Sequence, residues 1–165
     1  MSNWKVYLDT SVVSYLDQQD APEKMEETRR FWKLLQKGEY DVYISDVVIR
    51  EINNNTPKKL DVLLKYLDAI DYTVVEISEN TIKLAEKFID FGILKQKSFD
   101  DCQYIAAAIL ANCDLIVSWN FKHIVNVKTI RGVKAISTLE GYKDLLIYPP
   151  SILLEWEENT NEHPV

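Results

Sequence analysis

The feature that most constrains this chain is a regular alternation of short apolar runs with segments of helical period. Five runs are rich in aliphatic and aromatic residues: 5–8, 41–44, 72–77, 114–118 and 145–147. Helical patterns separate them, and several open on Pro or on a capping Ser, as at Pro22, Pro57 and Ser78. Strands that alternate with helices pair in parallel, because their connections cross over the sheet. We therefore predict an α/β protein with three α/β/α layers and a mainly parallel central sheet.

Length and composition fit a single folded domain. The chain has 165 residues, of which 47% are hydrophobic, and it contains only four Gly and five Pro. Such a composition supports a substantial core and argues against two domains joined by a linker. We predict one domain over residues 1–154, followed by an acidic tail over residues 155–165.

The charge balance limits the possible partners. The net charge of −7 opposes non-specific binding to nucleic acid, which depends on Lys and Arg near phosphates. It still permits a local basic rim, and the candidates for that rim are Arg50, Lys95, Lys97, Lys122 and Lys128.

Cysteine content and hydropathy indicate the compartment. Cys102 and Cys113 lie in apolar surroundings without a neighbouring Cys or His, so they are typical of reduced core residues and not of a zinc site. No apolar stretch approaches the ~20 residues of a membrane span. Because the first residues also lack the pattern of a signal peptide, we expect a cytoplasmic protein that does not enter the membrane.

Acidic and amide side chains stand where the apolar runs stop. Asp9 ends the first run, Glu51 follows residues 47–49, Asp101 precedes residues 105–110, and Asn120 ends the fourth run. Carboxyl ends of parallel strands share one edge of a sheet, where ligands bind. Oxygen-rich sites suit magnesium and manganese. The sequence therefore indicates a divalent-cation site at this edge.

Each acid also has an ordinary structural explanation. Asp9 can cap the following helix, Asp101 can be a first-turn acid favoured by the helix dipole, and Glu51 can face water. If the acids meet, each pair repels by about 4 kcal/mol at ~4 Å in an effective dielectric of ~20. A bound cation or raised pKa values would then be required.

Four segments, taken in order, resemble the PIN-domain ribonucleases, the family that includes the VapC-type toxins of bacterial and archaeal toxin–antitoxin pairs. They are residues 7–11 (YLDTS), 45–52 (SDVVIREI), 99–108 (FDDCQYIAAA) and 117–124 (VSWNFKHI). The resemblance extends over nearly the whole chain, from about residue 4 to residue 154.

The resemblance implies a function and partners. It implies an endoribonuclease that uses Mg²⁺ or Mn²⁺, an RNA substrate, a small antitoxin protein whose peptide covers the acidic pocket, and a homodimer. The dimer surface could lie on the helix with Phe31 and Trp32 or on the helix over residues 60–67, and the sequence does not choose between them.

The resemblance also implies roles for individual residues. Asp9, Glu51 and Asp101 fall on the metal-ligand positions, with Asp100 as a neighbour of the site. Asn120 falls on a fourth catalytic position, where the family commonly has Asp, and it can act as a neutral oxygen ligand or as a hydrogen-bond donor. The missing negative charge is expected to weaken the binding of a second metal ion. Tyr104 stands where the family frequently has His.

Three further side chains are candidates for binding substrate. Thr10 and Ser11 could hold a metal-bound water or a phosphate at the start of a helix, and Lys122 could contact the RNA. His123 could act as a general base, but we favour a structural role in positioning the Asn120 turn, because metal-bound water needs less help from a base.

Two rival functions remain open at this point. In a phosphatase of the haloacid-dehalogenase type Asp9 would be the nucleophile, but that chemistry needs a second Asp two positions later, where this chain has Ser11. A catalytically weak PIN domain could instead serve as an RNA- or protein-binding module, and the neutral Asn120 favours that reading.

Overall fold

A single parallel sheet organises the protein. The computed structural model describes residues 3–162. Its five strands are β1 (Trp4–Leu8), β2 (Tyr40–Ser45), β3 (Tyr72–Val75), β4 (Leu115–Val117) and β5 (Leu146–Tyr148). They lie in the order β3-β2-β1-β4-β5, and every neighbouring pair is parallel. The predicted α/β class is confirmed, and the sheet is parallel throughout.

Helices cover both faces of the sheet. Those of the described residues are α1 (Thr10–Ser14), α2 (Pro22–Gln36), α3 (Asp46–Asn53), α4 (Pro57–Asp68), α5 (Glu79–Asp90), α6 (Phe99–Leu110), α7 (Val127–Glu140) and α8 (Pro150–Glu162). Right-handed crossovers place α1 to α4 on one face and α5 to α7 on the other. Helix α8 packs on α2, while α5 packs on α6 and α7. Among these helices, none is long and apolar enough to cross a membrane.

The buried centre of the sheet determines where a site can form. The last three residues of β1 and all of β4 are fully buried. The chain leaves β1 towards β2 but reaches β4 from β3, so the strand order reverses between β1 and β4. Crevices form at the carboxyl ends of strands at such a reversal. Because Leu8 is in register with Val117, the next residues, Asp9 and Ser118, lie side by side.

Burial within the chain corrects one expectation about dimerisation. Phe31 and Trp32 are 0% and 1% exposed, so the aromatic face of α2 belongs to the core and is not a free surface. Of the other candidate helix, α4, Leu63 and Leu67 are buried, whereas Leu64 is 43% exposed. The two cysteines, as predicted, are buried thiols of the core.

A short 3₁₀ turn over Gln96–Ser98 precedes α6, and the Ser98 side chain does not cap that helix. Residues 155–162, expected as part of an acidic tail, continue α8, where Glu157 accepts a hydrogen bond from Tyr40 Oη at 3.0 Å and Glu158 pairs with Arg30. The domain boundary at residue 154 stays a prediction, and residues 163–165 of the predicted tail lie outside the described part.

Candidate functional site

Asp9 is buried at the carboxyl end of β1 and serves as the N-cap of α1. Its Oδ1 accepts hydrogen bonds from Val12 N at 3.2 Å and from Ser11 Oγ at 2.6 Å, and its Oδ2 accepts from Ser118 Oγ at 2.5 Å. The residue is 2% exposed. Burial raises the pKa of Asp9, and its hydrogen-bond donors offset only part of that effect. Since a carboxylate has about four acceptor positions, Oδ2 retains one for a ligand.

Two serine hydroxyls join the ends of β1 and β4. Ser11 Oγ accepts from Trp119 N at 2.9 Å, and Ser118 Oγ accepts from Asn120 N at 2.9 Å, while each donates its only proton to Asp9. The Ser11 hydroxyl therefore has no proton left to donate to a phosphate. In this structure Ser11 orients Asp9, and the substrate-binding role expected from the sequence stays a prediction.

Glu51 reaches the same edge from α3. Ser45 Oγ caps this helix at Val48 N and accepts a hydrogen bond from Tyr7 Oη at 2.8 Å, which ties α3 to β1. Burial raises the pKa of Glu51, as does the charge of Asp100, whereas the Thr10 hydroxyl lowers it. Glu51 Oε1 is buried and has no hydrogen-bond partner among the described residues.

Asp101 lies in the first turn of α6 and faces the other acids. Burial raises its pKa to about 7, and the charges of Asp9, Asp100 and Glu51 add to the effect. The structure therefore brings Asp9, Glu51 and Asp101 to one site, as the sequence predicted from their positions at element ends. Asp100 is exposed and accepts a hydrogen bond from Gln103 at 3.2 Å, in keeping with a neighbour of the site.

The acidic cluster fits a hydrated cation better than a closed cage. Among the side chains that the structure describes, which end at residue 160, no three acidic, His or Cys groups are already close enough to enclose an ion. Magnesium, however, is usually bound through one or two carboxylates and keeps several waters. The partnerless Glu51 Oε1 and the mutual repulsion felt by Asp101 are what such an ion would relieve.

Asn120 presents its amide N–H₂ to the acids. Its Oδ1 accepts from His123 N at 2.9 Å, and since a backbone N–H requires an acceptor, Nδ2 is directed at Asp101 Oδ1 at 3.4 Å. Of the two roles that the sequence left open, the structure therefore has Asn120 as a donor, and this hydrogen bond lowers the pKa of Asp101. The backbone of His123 positions the turn, in agreement with the structural role that we favoured.

Aromatic contacts fix this turn on α2. Trp119 Nε1 donates to Thr28 Oγ1 at 2.8 Å. The Lys24 ammonium lies 5.6, 5.7 and 5.5 Å from the ring centroids of Tyr15, Trp119 and Phe121. Each such cation–π contact is worth roughly 0.5–1 kcal/mol at an exposed site. The residues before and after Asn120, Trp119 and Phe121, thus both contact α2.

One residue of the site, Ser118, was not found from the sequence, because it becomes visible only when β1 and β4 are known to be neighbours. Tyr104, which stands where the family frequently has His, has its Oη 3.0 Å from Thr10 Oγ1, so Thr10 has a partner within the protein on the side of α6. Two larger cavities, of about 440 and 470 Å³, are lined mainly by residues near the amino ends of the strands and contain none of these residues.

Replacing Ser118 with Ala is expected to destabilise the protein by about 1–3 kcal/mol, because the buried carboxylate of Asp9 loses its donor on Oδ2. Chemical denaturation measures the effect. Ser137→Ala is the matched control: this hydroxyl is equally buried but has no partner among the described residues. Equal unfolding free energies for the two variants would contradict the orienting role of Ser118.

Comparisons with known proteins were made for sequence and structure. A family model described as PIN domain matches residues 6–123. No curated protein matches the sequence. Among solved structures, a chain from the crystal structure of VapBC2 from Rickettsia felis, bound to a DNA fragment from their promoter, superposes with a TM-score of 0.56. The match is 15% identical and covers 88% of this chain and 98% of that chain, so it shows a shared fold.

Proposed function

The chain belongs to the PIN domain family, and on that premise we propose that it is an endoribonuclease that uses Mg²⁺ or Mn²⁺ to hydrolyse phosphodiester bonds of single-stranded RNA. The observation that carries this proposal is the acidic cluster at the reversal of strand order. The charges of three other carboxylates help to raise the pKa of Asp101, and one oxygen of Glu51 is buried with no hydrogen-bond donor among the described residues. Such a cluster is stable at neutral pH with a cation bound or with some of its acids protonated.

Each residue has a stated role in the proposed reaction. Asp9, Glu51 and Asp101 would hold the cation, Ser11 and Ser118 orient Asp9, and Asn120 donates to Asp101. When bound, the cation supplies charge neutralisation on the phosphate and lowers the pKa of water. The carboxylates would fix where the phosphodiester group rests, and the N–H₂ group of Asn120, which donates to Asp101, favours its ionised form.

We further propose that the protein is the toxin of a toxin–antitoxin pair. The proposal is supported by the family and by the similarity of fold to a chain of the VapBC2 structure. The partner would be an antitoxin whose peptide covers the acidic site, where an Arg side chain would find three carboxylates. The homodimer and the cytoplasmic location stay predictions, and for the dimer α4 offers the exposed side chain of Leu64.

A catalytically weak, RNA-binding PIN domain is the second candidate. It is favoured by Asn120, which contributes a neutral donor where a fourth carboxylate would add a charge. The phosphatase reading is disfavoured, because Asp9 is 2% exposed and both of its oxygens accept hydrogen bonds, which leaves it a poor nucleophile.

A cleavage assay separates these candidates. We expect a mixed single-stranded RNA to be cut with Mg²⁺ or Mn²⁺, to survive in EDTA, and to be cut again when the metal is restored, while DNA of the same sequence is spared. Cleavage that persists in EDTA would contradict the proposed chemistry. RNA that binds in a gel shift but is never cut with either metal would favour the binding module.

A further inference from the structure

A small basic pocket lies beside the acidic cluster and is not part of it. Its volume is about 160 Å³, below the roughly 300 Å³ of typical small-molecule sites. Four lysines and one histidine contribute to its lining: Lys95, Lys97, Lys122, Lys128 and His123. No carboxylate lines it, although the chain has 26 acidic residues and only 19 Lys and Arg.

The four lysines of this pocket are free of ion pairs. The ion pairs formed within the described residues involve Arg30, Lys65, Lys83, Lys87 and Lys143. Desolvation lowers the pKa of His123, and the positive charges of Lys122 and Lys97 lower it further. Like charges from separate segments therefore face one space, and an anion placed there would relieve their repulsion.

Hydrogen bonds from side chains to backbone carbonyls hold the segment that carries Lys122 in place. Thr129 Oγ1 donates to His123 O at 2.7 Å, and Asn126 Nδ2 donates to Lys122 O at 3.0 Å. Gly132 of α7 lets the other wall approach, since a Cβ there would lie 2.6 Å from the side chain of Ile93. The pocket is thus formed by the fold and not by chance positions of flexible side chains.

The pocket shares both of its walls with the acidic cluster. Ser98, on one wall, precedes Asp101 by a single helical turn, which is ~5 Å of rise. On the other wall, His123 N donates to Asn120 Oδ1 at 2.9 Å. A chain of phosphates that crosses the acids therefore also passes the lysines.

We propose that this pocket binds a phosphate group of the RNA strand next to the bond that is cut. That the ligand belongs to RNA rests on the proposed function. That the ligand is an anion such as phosphate rests on the lysines alone. Lysine binds phosphate as a point charge, and four of them supply a local positive field in a protein whose net charge is −7. The pocket thereby explains how an acidic protein holds a polyanion.

The test is RNA binding by a pocket variant and by a control of equal charge. Single-stranded RNA is titrated in EDTA, followed by fluorescence anisotropy, between about 50 and 200 mM salt. The pocket variant is Lys97→Gln with Lys122→Gln, and the control is Lys33→Gln with Lys134→Gln, two exposed lysines that do not line the pocket. We expect about a tenfold loss of affinity and a salt slope reduced by about 0.7–1.4 for the pocket variant, with little change for the control.

The outcomes distinguish the pocket from the proposed function. If wild type binds and cleaves RNA but the two double variants bind it equally, the pocket is wrong and the nuclease stands. If wild type neither binds nor cleaves RNA, inorganic phosphate is titrated while the imidazole resonance of His123 is followed by proton NMR. A saturable shift that the pocket variant lacks supports a phosphate pocket without a nuclease, and no shift overturns the pocket.

The source of the phosphate is tested with two RNAs. Oligonucleotides that carry a 5′-phosphate or a 5′-hydroxyl are compared in the same titration. Equal affinities, each reduced in the pocket variant, support an internal phosphate of the strand. A requirement for the 5′-phosphate would overturn the position next to the scissile bond and indicate a site for the chain end.

Discussion

Replacing Asp101 with Asn is expected to abolish RNA cleavage while it stabilises the metal-free protein at about pH 8 by ~2 kcal/mol. The loss of activity should be at least about 100-fold, because removing even a group that only hydrogen-bonds to a metal ligand can reduce activity by up to about 100-fold. The gain in stability follows from the pKa of Asp101, which burial and three neighbouring acids raise from 3.8 to about 7. By about 1.4 kcal/mol per pKa unit that shift amounts to roughly 4 kcal/mol, which solvent screening of a partly exposed group reduces to about half.

The size of this effect depends on pH. Below the unfolded pKa both states are protonated and the carboxyl costs nothing. Above the folded pKa of about 7 both are ionised, and the folded state bears the full penalty. The advantage of Asn over Asp at position 101 should therefore be largest at about pH 8 and vanish by about pH 4.

Denaturant unfolding in EDTA at several pH values measures the difference. Asp71→Asn is the control, since Asp71 is exposed and loses the same charge. If Asp101→Asn is less stable than wild type at high pH, the protein alone stabilises the ionised carboxylate of Asp101. That result would contradict the need for a cation at this site.

The second large effect is stabilisation by the cation itself. We expect Mg²⁺ or Mn²⁺ to raise the melting temperature at about pH 8 by ~5–10 °C. A ligand at ~100 times its dissociation constant adds about 2.7 kcal/mol to the free energy of unfolding. Each kcal/mol shifts the melting temperature of a chain of this size by ~2–4 °C. At about pH 5 the effect should largely disappear, since Asp101 is then protonated and metal binding requires the ionised carboxylates.

Scanning fluorimetry with and without metal measures this stabilisation. Potassium chloride at the same ionic strength controls for screening. The Asp101→Asn variant should respond weakly at either pH. An equal rise at both pH values, or an equal rise in the variant, would place the cation elsewhere on the protein.

The part of the site predicted from the sequence is the part that follows from strand ends. Asp9 ends β1 and the Asn120 turn follows β4, and both reach the expected edge because parallel strands share their carboxyl ends. Glu51 and Asp101 were singled out by their positions beside apolar runs, and the resemblance to the family then placed them on metal-ligand positions. Their mutual effect on pKa became visible only with the packing of α3 and α6 around the sheet.

The remainder depended on neighbours that the sequence does not reveal. Ser118 is an ordinary serine until the order β2-β1-β4 places it beside Asp9. The orientation of the Asn120 amide is set by the N–H of His123, a backbone group. A single long-range contact decides the role of Ser118, whereas a local backbone contact decides that of Asn120.

The C-terminal region shows a signal that was present but outweighed. Pro150 opens α8, as Pro often does at the first position of a helix, and Leu153, Leu154 and Ile152 supply an apolar segment. The many acidic residues after Leu154 suggested a solvated tail instead. Because α8 packs on α2, overlooking it also left a neighbour of α2 out of the prediction.

Calorimetric titration of the protein with Mn²⁺ at about pH 8 tests the central claim most directly, with Asp9→Asn as the matched variant. Asn can keep the Oδ1 contacts that cap α1, so this variant is expected to stay folded while it loses the charge, at a cost of about 1–3 kcal/mol for the acceptor that Ser118 loses. We predict saturable binding of Mn²⁺ to the wild-type protein and none to the variant over the same range. Absence of binding to the wild type, or equal binding to both proteins, would contradict the assignment of Asp9, Glu51 and Asp101 as the ligands of a catalytic cation.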